Sequence, residues 1–176
     1  DPKAIYSLYP TKITDKNGNY AEITYENRGP RITQISTNDG RVVDFGYSDY
    51  TVPSSSGNYT ISLLSSISSG GKTVRYYYNQ VPDRGAFYLS RVIRPDGNSW
   101  DYTYHANTGS ATDNRYLLKQ VETPFGGTFN YSYSLFRPIG GTSNAAVSYV
   151  VTNKTANGGS WNFSYTPGSG SNYDKT

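Results

Sequence analysis

The stretch Leu89-Ser90-Arg91-Val92-Ile93-Arg94-Pro95-Asp96-Gly97-Asn98-Ser99-Trp100-Asp101-Tyr102-Thr103-Tyr104 decides the fold. Pro95-Asp96-Gly97 is turn chemistry: proline presets φ, and glycine supplies the positive φ a tight hairpin needs. After the turn, Trp100, Tyr102 and Tyr104 alternate with Ser99, Asp101 and Thr103. A period of two marks a strand with one packed and one wetter face, and aromatic residues favour such a surface. Before the turn, Leu89 and Val92 provide a second apolar segment. The stretch reads strand, turn, strand.

The same frame recurs. Taking Gly18, Gly40, Gly71, Gly97, Gly126 and Gly158 as turn anchors, a tyrosine stands seven residues after each: Tyr25, Tyr47, Tyr78, Tyr104, Tyr133 and Tyr165. Five after stand Ile23, Phe45, Tyr76, Tyr102, Tyr131 and Phe163; three after stand Ala21, Val43, Val74, Trp100, Phe129 and Trp161. Internal repetition of this kind reads as an array. Five before the anchor, Ile13, Ile35, Val92 and Val121 are apolar. In the third copy Ile67 comes one place later, and in the sixth Asn153 leaves the register open. Ile32, Leu64, Leu89 and Leu118 stand three residues further back, a spacing that breaks a flat strand and predicts a bulge or a strand entry.

Residues 1–166 therefore read as six β-hairpin repeats and residues 167–176 as a Gly/Ser-rich flexible tail. The hairpins are regular. The links, near residues 48–59, 79–85, 105–114 and 134–145, are rich in Gly, Ser, Asn, Thr or Pro. The expected fold is all-β: tandem antiparallel hairpins in a single twisted, curling sheet, either a spiral shell segment or a small repeat-built barrel. An uncovered aromatic face is an aggregation hazard, so neighbouring repeats or self-association through strand edges are the expected partners.

Composition narrows function. Among 176 residues there are 19 Tyr, 6 Phe and 2 Trp, so rings supply much of the packed surface. A net charge of +3 with 16% charged residues is too weak a bias for nucleic acid. No apolar run approaches the roughly 18 residues of a membrane helix, so membrane insertion is not expected. With no Cys and one His, thiolate metal sites and His-based triads lack material. The lack of Met suggests a processed chain or an excised fragment.

Candidate chemistry is sparse. Asp15-Lys16-Asn17-Gly18-Asn19 hints at a calcium loop, but it lacks the ligand series of one and fits a hairpin turn better. Asp44 and Asp101 share the position four after the anchor, in different hairpins, where a solvated or lumen-lining face accounts for them better than a glycosidase pair. No nucleophile elbow or phosphate loop is present. The sequons at Asn58, Asn130, Asn153 and Asn162 are what chance gives in a chain rich in Asn, Ser and Thr. The in-register aromatics suit packing. Tyr20, Tyr50, Tyr59, Tyr77 and Tyr88, out of register, are the better candidates for stacking on a sugar. The expectation is a protein without cofactor and without catalysis.

The glycine turn followed by aromatic-x-Tyr and preceded by Leu-x-x-Val resembles the YD repeats of Rhs proteins, which also occur in toxin-complex subunits and teneurins. The best copies are Leu89…Val92…Gly97…Tyr102-Thr103-Tyr104 and Leu118…Val121…Gly126…Tyr131-Ser132-Tyr133. The residues after the last tyrosine are Glu26, Ser48, Asn79, His105, Ser134 and Thr166, never the Asp of the family name, so the copies are divergent. The resemblance implies a piece of a spiralling shell in a secreted or surface-exposed bacterial protein, located outside the cell or in its envelope. Such a shell serves toxin containment, delivery or cell contact. The alternative is a surface module that binds carbohydrate or a partner protein through exposed aromatics.

Overall fold

The computed structural model describes residues 8–27, 29–54, 56–81, 85–106, 116–136, 148–167 and 173–175. Among these, every regular element is a strand. The strands are β1 (Lys12–Thr14), β2 (Tyr20–Tyr25), β3 (Ile32–Thr37), β4 (Val42–Val52), β5 (Tyr59–Ser69), β6 (Lys72–Gln80), β7 (Phe87–Ile93), β8 (Ser99–Tyr104), β9 (Leu118–Glu122), β10 (Thr128–Phe136), β11 (Ser148–Ala156), β12 (Gly159–Asn162), β13 (Tyr165–Pro167) and β14 (Tyr173–Lys175). The first twelve form one antiparallel sheet in chain order. β1 and β12 each have one neighbour, so the sheet is open and the barrel alternative is excluded. The chain divides into two compact units, Asp1–Tyr77 with Ile93–Gly97, and Tyr78–Val92 with Asn98–Thr176.

Within the first unit, two turn types set two registers. At Gly18 and Gly40 the glycine N–H donates to the carbonyl three residues earlier, Asp15 at 3.2 Å and Thr37 at 2.9 Å. Both glycines have φ +86°. This is a type I turn closed by a left-handed glycine, and it pairs Ile13 with Ala21 and Ile35 with Val43. The third hairpin is shorter: Ser69 pairs with Lys72, leaving only Gly70 and Gly71, both at positive φ. Two positive φ values define the primed turn that matches strand twist. One residue is lost from the loop, which is why Ile67, one place late, is the partner of Val74.

The second unit repeats both types. Gly126 donates to the Thr123 carbonyl at 3.0 Å, and Val121 pairs with Phe129. The turn Asn157-Gly158, with φ +47° and +84°, is the two-residue form. The register open in the sequence is settled by it: Lys154, not Asn153, sits opposite Trp161. Its ammonium lies 5.0 Å from the Phe129 ring centre and 5.7 Å from that of Trp161, so a cation occupies the seat that aliphatic residues hold elsewhere.

Three readings of the sequence need correction. β4 continues to Val52 and β5 begins at Tyr59, so Tyr50 and Tyr59 lie on paired strands and not in a link. In the segment read as a flexible tail, Tyr173–Lys175 forms β14, paired with β13. Tyr165 belongs to that separate two-stranded ladder, off the main sheet. The reason is local. In earlier copies the second half of the tyrosine strand is held by the next hairpin's leading strand, as Tyr47 is by Leu64. For Tyr165 that place is taken by β14, which pairs it with Lys175.

Burial is shallow. Among the described residues only Val52, Val81, Val121 and Ala156 form a buried apolar set, and no polar side chain is buried. The aromatic rows are mostly half-buried, with Trp161 at 50% exposure. Cohesion therefore comes from ladders and cross-strand pairs, each pair contributing roughly 0.2–1 kcal/mol.

Candidate functional site

The described turn glycines, Gly18, Gly40, Gly71, Gly97, Gly126 and Gly158, all have φ between +75° and +86°. Four of the repeat tyrosines occupy one equivalent place. Tyr25, Tyr47, Tyr104 and Tyr133 pair with Ile32, Leu64, Leu118 and Val151 of the next hairpin's leading strand. In each case the register slips by one residue at the tyrosine, leaving Thr33, Ser65, Lys119 or Thr152 as the extra residue of a β-bulge. The spacing of three between Ile32 and Ile35, or Leu118 and Val121, is this bulge.

The hydroxyls follow a rule. Tyr25 donates to the Pro10 carbonyl at 2.8 Å, Tyr47 to Ile32 at 2.9 Å and Tyr133 to Leu118 at 2.8 Å, each fifteen residues back. Ile32 and Leu118 are themselves bulge-flanking residues, where the ladder is irregular and a carbonyl needs a donor. One side chain thus covers its own hairpin with its ring and caps the bulge with its tip. Burial pushes the Tyr133 and Tyr104 phenols above their ordinary range, so they stay protonated and able to donate. Tyr104 also packs on Tyr88 with ring centres 4.5 Å apart.

The other face carries a polar ladder. The residue four after the anchor meets a cross-strand partner: Glu22 with Lys12 at 3.2 Å, Asp44 with Gln34 at 2.8 Å, Asp101 with Arg91 at 2.5 Å, Asn130 with Gln120 at 2.9 Å and Asn162 with Asn153 at 2.8 Å. Asn130 also donates to Thr155 Oγ1 at 3.3 Å, tying its hairpin to the next. Asp44 and Asp101 are each bound to a partner within their own hairpin. For Asp101, burial raises the pKa, but hydrogen bonds from Ser99 and Arg91 outweigh it and hold the carboxyl below its usual range.

The remaining candidates are accounted for by local structure. Asp15 Oδ1 accepts the Asn17 and Asn19 N–H groups at 2.7 and 3.0 Å, and Oδ2 accepts the Asn19 amide at 2.9 Å. These bonds, led by the Asn19 side chain, lower its pKa, and the carboxylate serves the turn. No cluster of three potential metal ligands occurs among the described residues. His105 lies edge-on to Tyr133 at 5.9 Å, and its backbone pairs with Tyr116 and Leu117. Tyr20 lies under the Lys12 ammonium at 3.5 Å. Tyr50 of β4 and Tyr77 of β6 line one shallow groove, with Arg75 on the same strand as Tyr77. Sequence reasoning saw Arg75 only as a polar-face residue and had no signal for its neighbours Ser48, Ser65 and Ser66, which come from two other strand segments.

Fold and side-chain pattern define the chain as an open antiparallel sheet of tyrosine-capped hairpin repeats. No protein-family model matches the chain, and none of the curated proteins does.

Proposed function

We propose that this chain is a structural repeat segment of a secreted or surface-exposed bacterial protein of the Rhs or YD type, contributing wall to a shell or scaffold for toxin containment, delivery or cell contact. The observation that carries this reading is the recurrence of one device: a bulge opposite Tyr25, Tyr47, Tyr104 and Tyr133, with the hydroxyls of Tyr25, Tyr47 and Tyr133 each spanning fifteen residues to a backbone carbonyl. The device builds sheet without building an interior, which suits a wall. The small buried set and the polar ladder on the opposite face agree with it. Its role is enclosure and presentation, without catalysis, cofactor or nucleic acid. Further repeats of the same kind are its natural neighbours, since β1 and β12 carry open edges.

The test is limited proteolysis of a longer polypeptide in which this chain is followed by a further domain. Enclosure predicts that the domain survives protease at a ratio that digests it when produced alone. Equal digestion of both rejects containment.

A further inference from the structure

Arg75 breaks the rule of the polar ladder. Its cross-strand partner is Ser66, too short to reach it, whereas the other described ladder positions carry a matched side chain. Neither an ion pair nor a hydrogen bond engages its guanidinium among the described residues. It projects where the sheet carries a groove of about 290 Å³, lined by Ser48, Tyr50, Ser65, Ser66, Arg75, Tyr76 and Tyr77. All seven residues lie in the first compact unit. Gly46 is the register partner of Ser66 on its other side, and a Cβ there would run into the Ser66 hydroxyl, so glycine keeps the floor of the groove open.

The groove joins three recognition elements. Tyr77 is 44% exposed, and with Tyr50 it offers ring surface to the C–H face of a sugar. The serine hydroxyls both donate and accept, matching sugar hydroxyls. Arg75 supplies a forked cation of the geometry that grips a carboxylate with two parallel hydrogen bonds. Its charge has no compensation in the groove, whereas the ladder cation Arg91 is paired with Asp101. We propose that this groove is a binding site for a carboxylate-bearing saccharide, a uronic-acid unit, with Arg75 on the carboxylate, Tyr50 and Tyr77 on the ring, and Ser48 and Ser66 on the hydroxyls. The proposal goes beyond the scaffold reading and does not depend on it.

The experiment titrates the intact chain with methyl β-D-glucuronide, using methyl β-D-glucoside and acetate as comparators, and follows amide shifts by NMR. The expected result is saturable shifts at Tyr50, Arg75 and Tyr77, with the glucuronide bound about tenfold more tightly than the glucoside. Arg75→Gln should erase that preference, and Tyr77→Ala should weaken both saccharides; both positions are exposed, and unchanged melting confirms the fold. Any of three results overturns the site: no shifts at these residues, equal binding of glucuronide and glucoside, or acetate matching the glucuronide. Affinity unchanged in both variants also overturns it. None of these results alters the protease-protection outcome that decides the scaffold reading.

Discussion

The Tyr47 hydroxyl donates to the Ile32 carbonyl at 2.9 Å, beside the bulge that Thr33 makes opposite Tyr25. The bond belongs to the phenol tip alone, so Tyr47→Phe removes it and keeps the ring. A hydrogen bond of this kind contributes about 1 kcal/mol. Tyr47→Phe and Tyr133→Phe should each lower unfolding free energy by about that amount in urea titrations, with an unchanged slope. A variant as stable as the parent would show that the bulge carbonyl is served equally well by water.

Tyr104 is half-buried against Tyr88. A fully buried aromatic replaced by alanine costs roughly 3–5 kcal/mol. At this partial burial, Tyr104→Ala should cost about 2 kcal/mol. Thermal melting of the parent and the variant measures it, and full retention of stability would remove the packing role of the aromatic row.

Gly97 has φ +85° and nothing within 4 Å of where a Cβ would stand. Gly97→Ala therefore probes backbone conformation without steric contact, and it should destabilise by about 1–2 kcal/mol. D-alanine at the same position, placed by chemical ligation, should be tolerated. Equal stabilities of the two alanine enantiomers would contradict the left-handed turn.

The Arg41 guanidinium first, and the Thr37 hydroxyl next, hold the Asp39 carboxyl down to about 2, against an ordinary value of 3.8. A pKa depressed on folding contributes stability that is complete above about 4 and lost as pH falls toward 2. Asp39→Asn should flatten part of the acid limb between those values, and added salt should do the same, since the pair is exposed. An NMR titration midpoint near 3.8 for Asp39 would refute the pairing in solution.

β1 is an open edge, and Ile13 on it is 59% exposed. Ile13→Lys blunts such an edge with a charge. Sedimentation should show less self-association at high concentration, with melting unchanged. Identical sedimentation of parent and variant would place any association elsewhere.

Much of the sheet was legible in the sequence because strand alternation and turn glycines are local signals. Gly97 announced its turn, and Trp100, Tyr102 and Tyr104 announced their face. The bulge was half-legible: the spacing of Ile32 to Ile35 demanded an irregularity, but its place opposite Tyr25 needed the neighbouring strand. The sixth copy defeated a fixed frame because Asn157-Gly158 is one residue tighter than the Gly126 turn. Removing one loop residue moves Lys154 into the seat where an aliphatic was sought. The groove of Tyr50, Ser66 and Arg75 was not legible at all. It assembles residues from three strands, and period-two patterning says which face a residue takes but not which strangers it meets there.

The fifteen-residue span from tyrosine to carbonyl has a consequence for how the protein is made. Donor and acceptor emerge from the ribosome within moments of each other, so each hairpin can be fastened before the next is synthesised. Contacts this close in sequence favour rapid local assembly. The chain can then grow like a knitted edge, each finished row serving as template for the one that follows.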